Sequence, residues 1–229
     1  MRGLYAIVDM GALKALDLEP TAFAEAILSV RPAALQLRAK DAAAREVLGL
    51  LRALSPMCHR VGVPLVANDR PDLALMAACD QVHVGQEDMP IERVRRLAPG
   101  IGVGVSTHTP DQLEAALAAR PAYVAFGPVF ATRTKGNADP VVGVAALHAA
   151  YLRASAAGVP LVAIGGISRE KVHLLVGSAD AVAVISELLP PVLSAARRTR
   201  DDVLAEVVQR ARALQNLFLA QPVGTPAGS

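Results

Sequence analysis

The chain has 229 residues and a formal net charge of +2, with acidic and basic residues interspersed along its length. Hydrophobic residues make up 53% of it and aromatic residues only 3%, so the core has to be built from Ala, Val, Leu and Ile. A nucleic-acid-binding surface would need a clustered basic stripe interleaved with aromatic side chains, and this composition argues against one.

The cysteines and the N-terminus predict a cytoplasmic protein with no membrane contact. Cys58 and Cys79 fit no metal-binding or redox spacing, so we expect two buried, reduced thiols. The apolar run Leu4–Val8 passes directly into Asp9 without a cleavage-type region, which predicts that no signal peptide is present. No apolar stretch is long and charge-free enough to span a bilayer.

Short apolar runs alternate along the chain with longer segments of helical periodicity. The predicted strands are Leu4–Val8, Ala34–Arg38, Pro64–Ala67, Gln81–Val84, Gly102–Val105, Tyr123–Phe126, Leu161–Ile164 and Ala181–Ile185. The predicted helices are Thr21–Val30, Ala42–Arg60, Pro71–Ala78, Ile91–Leu97, Pro110–Ala119, Val144–Ala157, Arg169–Val176 and about Asp201–Leu219. This pattern predicts an α/β fold, a single (β/α)8 TIM barrel. An open doubly wound sheet is the alternative, but no G-x-G-x-x-G follows the first strand.

Helix-start signals and tail composition complete the predicted organisation. The predicted N-caps are Thr21, Thr109 and Ser168. The prolines placed near helix starts are Pro71, Pro90 and Pro110. We expect one barrel domain over residues 1–219, closed by a C-terminal helix, and a disordered Pro/Gly/Ser-rich tail over residues 220–229.

The functional groups of a barrel lie at the C-terminal ends of its strands, and polar or small residues follow all eight predicted strands. They are Asp9; Arg38 with Lys40; Asn68 with Asp69; Gly85 with Asp88; Ser106; Gly127; Gly165–Gly166; and Ser186. This set contains carboxylates, cations and small hydrogen-bond donors, which solvation of surface loops does not readily explain.

The segment Phe126–Lys135 carries the strongest local signal for an anion site. It presents Thr132, Arg133, Thr134 and Lys135 directly after a buried-looking strand, and charge-assisted hydrogen bonds are about twice as strong as neutral ones. The alternative is a solvated surface loop. Gly165–Gly166, with Ser168 and Ser186, predicts a second phosphate site; the alternative there is a tight turn that needs glycine.

Cations and carboxylates are expected to meet at the ends of the second to fourth strands. Gln36, Arg38 and Lys40 alternate, which places them on one face, unless the two cations are simply exposed beyond the strand end. Asp69 and Asp88 follow neighbouring strands, and Mg2+ commonly binds one or two carboxylates together with phosphate oxygens. The alternatives are a helix cap for Asp69 and a solvated loop acid for Asp88.

The two histidines near these ends receive no catalytic role. His83 is expected to be packed or to face the lumen. His108 is expected to be a loop histidine before a helix, and the alternative is that it enters the site, because it follows Ser106 near a strand end. No Ser/His/Asp or Cys/His pattern suggests a nucleophile.

Seven short motifs occur together along the chain, and their order resembles that of the thiamine phosphate synthase family. They are QLRAKD at Gln36–Asp41, VAND at Val66–Asp69, VHVGQED at Val82–Asp88, GVST at Gly104–Thr107, GPVFATRTK at Gly127–Lys135, AIGGI at Ala163–Ile167 and VAVIS at Val182–Ser186. The resemblance implies a Mg2+-dependent transferase that joins hydroxymethylpyrimidine diphosphate to thiazole phosphate and releases pyrophosphate.

The resemblance also implies roles for individual residues. The pyrimidine diphosphate would be held by Gln36, Arg38, Lys40, Asn68, Ser106 and Lys135, of which Ser106 and Lys135 would be catalytic. The Mg2+ ligands would be Asp69 and Asp88. The thiazole phosphate would be held by Thr132, Thr134, Gly166, Ile185 and Ser186.

Two other functions stay open, and the expected partners are small molecules in every case. A thiazole tautomerase on the same barrel is the nearest relative; it carries a histidine where this chain has Pro128, and its Thr-x-Thr-Lys loop is altered, so the resemblance favours the synthase. A non-catalytic binder of phosphate ligands is the third hypothesis. The partners are phosphorylated substrates, without nucleic acid or membrane, and a homo-oligomer is left open.

Overall fold

Eight parallel strands close into a barrel in the computed structural model, which describes residues 1–132, 140–195 and 198–220. Each strand pairs with the next one along the chain, and β8 pairs with β1. The strands are β1 (Gly3–Asp9), β2 (Ala34–Arg38), β3 (Leu65–Asn68), β4 (Gln81–Val84), β5 (Gly102–Thr107), β6 (Tyr123–Phe126), β7 (Leu161–Ile164) and β8 (Ala181–Val184). The predicted barrel is confirmed, and the open sheet is excluded.

Helices surround the barrel and cover the outer face of the sheet. They are α1 (Met10–Lys14), α2 (Pro20–Leu28), α3 (Ala44–Val61), α4 (Pro71–Met76), α5 (Ile91–Leu97), α6 (Pro110–Ala118), α7 (Gly143–Ala156), α8 (Val192–Ala195) and α9 (Arg200–Leu219). Short 3-10 turns follow β7 at Val172–Leu175 and β8 at Ser186–Leu188. Within the described residues, no helix is long and apolar enough to cross a membrane.

The sequence predicted a helix at Arg169–Val176, and this prediction was wrong. Only the 3-10 turn Val172–Leu175 forms there, because Lys171 occupies the N-cap position without a capping hydrogen bond and Val176, with ψ 126°, has left the helical region. The predicted caps at Thr21 and Ser168 are wrong too: α2 begins at Pro20 behind Glu19, and the hydroxyl of Ser168 caps no helix.

Other boundary signals agree with the structure. Thr109 accepts the backbone N–H of Gln112 at 3.2 Å and caps α6. Pro71 and Pro110 lie in the first turns of α4 and α6, and Pro90 is the N-cap residue of α5. The predicted tail begins beyond α9, and residues 221–229 lie outside the described part of the chain.

The core between sheet and helices is built mainly from small and branched aliphatic side chains, as the composition predicts. Helix α9 packs against α2 and β1, where its apolar face is buried. Cys58 and Cys79 are buried free thiols, and burial raises the pKa of each to about 12. Tyr5 and Tyr123 lie inside the barrel, with mostly small aliphatic residues around them.

Gly104 makes room for Tyr123 inside the barrel. A Cβ atom at position 104 would lie 2.0 Å from Cζ of Tyr123 and 2.4 Å from its hydroxyl oxygen. A β-carbon cannot be accommodated at that distance without moving the ring, and overpacked cores lose stability.

We therefore expect Gly104→Ala to lower the free energy of unfolding by about 1–3 kcal/mol and Tm by about 2–10 °C, as measured by thermal unfolding. Gly49→Ala is the matched control. Gly49 lies within α3 with open space around its Cα, so alanine there should stabilise the helix by about 0.5–1 kcal/mol. Equal Tm values for Gly104→Ala and the wild type would contradict the packing argument.

Candidate active site

A chain of buried hydrogen bonds crosses the inside of the barrel, and we call it the lumen chain. Gln36 Nε2 donates to the hydroxyl of Tyr5 at 2.8 Å, and this hydroxyl lies 2.8 Å from that of Tyr123. The Tyr123 hydroxyl is 2.9 Å from Nδ1 of His83, whose Nε2 is 2.8 Å from Oγ of Ser106. Buried polar groups need such partners, and here they fix the side chains of Gln36 and Ser106.

The two tyrosines of the lumen chain remain protonated over the physiological range. Burial is the main cause that raises the pKa of Tyr5 and of Tyr123 above the ordinary value. Sequence reasoning assigned no role to either, although a phenol within an apolar strand is a usable signal in a chain with only three tyrosines. The expectation that His83 faces the lumen is confirmed.

The C-terminal end of the barrel, which we call the mouth, holds an ion pair between β1 and β2. Asp9 is opposite Arg38 in the strand register, and its Oδ2 accepts a hydrogen bond from Nη1 of Arg38. The side chain of Arg38 is 17% exposed and that of Lys40 is 55% exposed. The alternative that both cations are exposed beyond the strand end is therefore wrong for Arg38. It is partly right for Lys40.

Asp69 and Asp88 lie side by side at the mouth, and we call them the acidic pair. Burial, the negative charge of Asp88 and a hydrogen bond with it raise the pKa of Asp69 to about 6, against the opposing effect of Lys40 and Arg38. The Lys40 Nζ atom is 3.9 Å from Oδ2 of Asp69. The sequence prediction that these two carboxylates meet is confirmed.

Neither alternative interpretation of the acidic pair survives. The N-cap residue of α4 is Arg70, so Asp69 does not cap that helix. Asp69 instead has a left-handed backbone (φ 62°), which aspartate tolerates better than most residues, and its N–H donates to the carbonyl of His83 at 2.8 Å. Asp88 is half-buried and accepts the N–H of Gly85 at 2.7 Å, so it is not a freely solvated loop acid.

Asn68 ends β3 beside the acidic pair. It pairs in register with His83 and lies two residues beyond Val66, which belongs to the lumen cluster. Alternation along a strand puts Asn68 on the same face as Val66. The predicted groups Gln36, Arg38, Lys40, Asn68 and Ser106 are thus brought to one side of the mouth.

A cavity opens at the other side, around the ends of β6, β7 and β8, and we call it the β6–β8 cavity. Its walls are mostly apolar. They are formed by Ile7, His108, Gly127, Pro128, Thr132, Ile164, Gly165, Gly166, Ile167, Ala183, Val184, Ile185 and Ser186. Four of the predicted residues therefore line the same cavity: Thr132, Gly166, Ile185 and Ser186.

The backbone conformation at the rim of this cavity allows only glycine at position 166. Its φ is +63°, and a Cβ there would lie 2.4 Å from the carbonyl oxygen of Ala131. The tight turn proposed as the alternative is therefore real, and it also brings backbone close to the cavity. The buried hydroxyl of Ser168 has no hydrogen-bond partner among the described residues, but Ser168 does not line the cavity.

His108 lines the β6–β8 cavity, so the alternative that it enters the site describes it better than a plain loop histidine. Its Nδ1 lies 2.6 Å from the carbonyl oxygen of Gly127. Because a carbonyl only accepts hydrogen bonds, Nδ1 carries the proton in this contact. The ring is thereby fixed against the end of β6.

Three residues of the predicted anion loop cannot be placed. Arg133, Thr134 and Lys135 lie outside the described residues, so their predicted part in the site stays a prediction. Within the described residues, no group of three or more His, Cys, Asp or Glu side chains could hold a metal ion. The acidic pair is thus a two-carboxylate site.

The mouth therefore combines a charged half with a largely apolar half. The charged half can bind a phosphorylated group through its cations and a hard cation through its carboxylates. The apolar half can enclose a ring and offers small polar groups at Thr132, Gly166 and Ser186. Such an arrangement suits two different ligands bound next to each other.

Known proteins similar to this chain match it over most of its length. A protein-family model described as thiamine monophosphate synthase matches residues 4–188. The thiamine-phosphate synthase of Koribacter versatilis (strain Ellin345) is 44% identical over 197 residues, which are 81% of this chain and 88% of the relative. The thiamine-phosphate synthase of Roseiflexus sp. (strain RS-1) is 40% identical over 78% of this chain and 76% of its own.

A solved structure agrees with these sequence relatives. The thiamine phosphate pyrophosphorylase from Pyrococcus furiosus superposes with a TM-score of 0.77 and 26% sequence identity, covering 94% of this chain and 95% of its own. The matched region of the family model contains the acidic pair, the lumen chain and the described walls of the β6–β8 cavity. The chain belongs to the thiamine monophosphate synthase family.

Proposed function

We propose that this chain is a cytoplasmic thiamine phosphate synthase that joins hydroxymethylpyrimidine diphosphate to thiazole phosphate and releases pyrophosphate. The observation that carries the proposal is the acidic pair, flanked by Arg38 and Lys40, at the same mouth as the apolar β6–β8 cavity. One half suits a diphosphate and a cation, and the other suits a heterocycle with a phosphate.

The pyrimidine diphosphate would occupy the charged half. Gln36 and Ser106, held by the lumen chain, would face the pyrimidine ring. Arg38, Lys40 and Asn68 would bind the diphosphate, with Lys135 added from the loop. Charge-assisted hydrogen bonds to phosphate oxygens favour cations at these positions.

The acidic pair fits Mg2+. The pKa of Asp69 is raised partly because the charge of Asp88 is close, and a divalent cation would relieve that repulsion. Mg2+ usually takes one or two carboxylates and completes its octahedron with water and phosphate oxygens, which suits a site of only two acids. When bound, it would supply neutralising charge for the departing pyrophosphate.

The reaction would proceed by breaking the bond between the methylene carbon and the diphosphate oxygen, followed by attack of the thiazole nitrogen on that carbon. Lys135, Arg38 and Lys40 would stabilise the negative charge on the leaving group, and Ser106 would hold the pyrimidine in place. Thr132, Thr134, Gly166, Ile185 and Ser186 would hold the thiazole phosphate. Catalysis would then be positioning and charge stabilisation without a covalent nucleophile.

A thiazole tautomerase-like isomerisation is the second candidate, because the imidazole of His108 lines the β6–β8 cavity. Imidazole is the commonest proton-transfer group in enzymes. This reaction would need the thiazole phosphate alone, without the pyrimidine diphosphate and without Mg2+.

The purified chain should form thiamine phosphate from the two substrates with Mg2+, and the rate should fall at least about 100-fold when the metal is chelated. Product would be measured by liquid chromatography, with pyrophosphate release measured in parallel. Isomerisation of thiazole phosphate without coupling would support the second candidate. Ligand binding without either reaction would leave only a non-catalytic binder.

Asp69→Asn should lower kcat for the coupling reaction by about 100-fold or more, because one of two metal-binding carboxylates is lost. The affinity for thiazole phosphate, measured by calorimetry, should change less than about twofold. Asp72→Asn is the control, since Asp72 pairs with Arg70 in α4 outside the site. Full activity of Asp69→Asn would show that the carboxylate is not a metal ligand.

The same substitution should stabilise the metal-free protein at neutral pH. The pKa of Asp69 is raised from 3.8 to about 6, so the ionised carboxylate costs stability, and this cost appears as pH rises from about 4 through about 6. Asp69→Asn should therefore raise Tm by about 2–4 °C at pH 8, with the difference vanishing near pH 4. Thermal unfolding without Mg2+ measures this. A lower Tm for the variant at pH 8 would show that Asp69 is net stabilising.

A further inference from the structure

Asp9 ends β1 with a carboxylate that is only 8% exposed. One of its oxygens, Oδ1, accepts the backbone N–H of Ala12 at 2.9 Å and so caps α1. The other, Oδ2, accepts the hydrogen bond from Nη1 of Arg38. Both oxygens are engaged, one by the backbone of α1 and the other by a cation of the mouth.

Arg38 depends on this contact for its orientation. Its guanidinium is permanently charged, and its side chain is largely buried, so it needs a paired carboxylate. A second carboxylate lies at the neighbouring strand end, because Asp69 directly follows β3, which pairs with β2. The positive charge of Arg38 acts to lower the pKa of this carboxyl group. Arg38 thus has two acidic neighbours, and the described hydrogen bonds place it on Asp9.

We propose that Asp9 is a positioning residue, which holds the guanidinium of Arg38 toward the diphosphate and keeps it from pairing with Asp69. The proposal rests on the proposed function, since it assumes that a diphosphate is the ligand of Arg38. Without Asp9, Arg38 turns to the acidic pair. The diphosphate then loses one of its cations, and the metal-binding carboxylates are partly neutralised.

The substitution Asp9→Asn separates this role from the helix cap. Asparagine is as good an N-cap as aspartate, so α1 keeps its cap while the charge that holds Arg38 is removed. Asp17→Asn is the matched control for net charge. Asp17 follows α1, lines the same surface groove as Asp9, and has a side chain 90% exposed in an ion pair with Arg200.

Calorimetric titration of the full chain with inorganic pyrophosphate in saturating Mg2+ tests the proposal through a double-mutant cycle. Asp9→Asn should raise the Kd about tenfold, the loss of one well-oriented charged contact. In the Arg38→Ala background the same change should alter the Kd less than about twofold, because the group that Asp9 positions is absent. Asp17→Asn should also stay within about twofold of the wild type.

Steady-state kinetics of thiamine phosphate formation, measured on the same variants, add a readout that a purely structural role would not give. The KM for the pyrimidine diphosphate should rise about tenfold in Asp9→Asn, while that for thiazole phosphate should change less than about twofold. Unchanged or tighter pyrophosphate binding, or an equal loss with and without Arg38, would overturn the proposal. The two proposals can fail separately. If the wild-type chain makes no thiamine phosphate but the double-mutant cycle still shows that Asp9 acts through Arg38, the proposed function is refuted and the role of Asp9 stands.

Discussion

The organisation of the mouth depends on the repulsion between two carboxylates that the barrel places side by side. Asp69 and Asp88 follow adjacent strands, and their proximity, together with burial, raises the pKa of Asp69 to about 6. Such a pair costs stability unless cations lie near it. Lys40 lies 3.9 Å from Asp69, and Arg38 lies close enough to oppose the shift. The fold therefore keeps a mutually repelling pair of carboxylates at a cost in stability, as functional sites commonly do.

Inside the barrel, by contrast, each side chain of the lumen chain has a hydrogen-bond partner. Tyr5 and Tyr123 meet at the centre and connect Gln36 on β2 with Ser106 on β5 through His83. Gly104 leaves the space that Tyr123 fills. A satisfied buried network is rigid, so the groups it presents to the mouth have fixed orientations. Rigid support beneath a charged site is what positioning catalysis needs.

The division of the mouth into two halves fits the proposed coupling reaction, which uses no covalent nucleophile from the protein. Cations and carboxylates surround one ligand position, and the apolar walls of the β6–β8 cavity surround the other. In the proposed reaction, the leaving group would be stabilised on the first side and the acceptor ring would bind on the second. Both halves lie on the strand ends of one closed sheet, so the sheet sets the distance between them.

The sequence by itself determined the strand pattern, and with it the residues that end each strand. That was enough to predict the barrel and the meeting of Asp69 with Asp88, since neighbouring strand ends are adjacent in any such barrel. The grouping of Thr132 with Gly166 and Ser186 came from the resemblance to the family. Only the tertiary structure decided which side chains meet across the lumen. Tyr5 and Tyr123 are 118 residues apart, and their contact depends on the strand tilt and stagger at which the barrel closes, which no local pattern encodes. The partner of Arg38 was also decided by the tertiary structure, because Asp9 and Asp69 both lie at the ends of strands next to β2 and the hydrogen bond goes to Asp9.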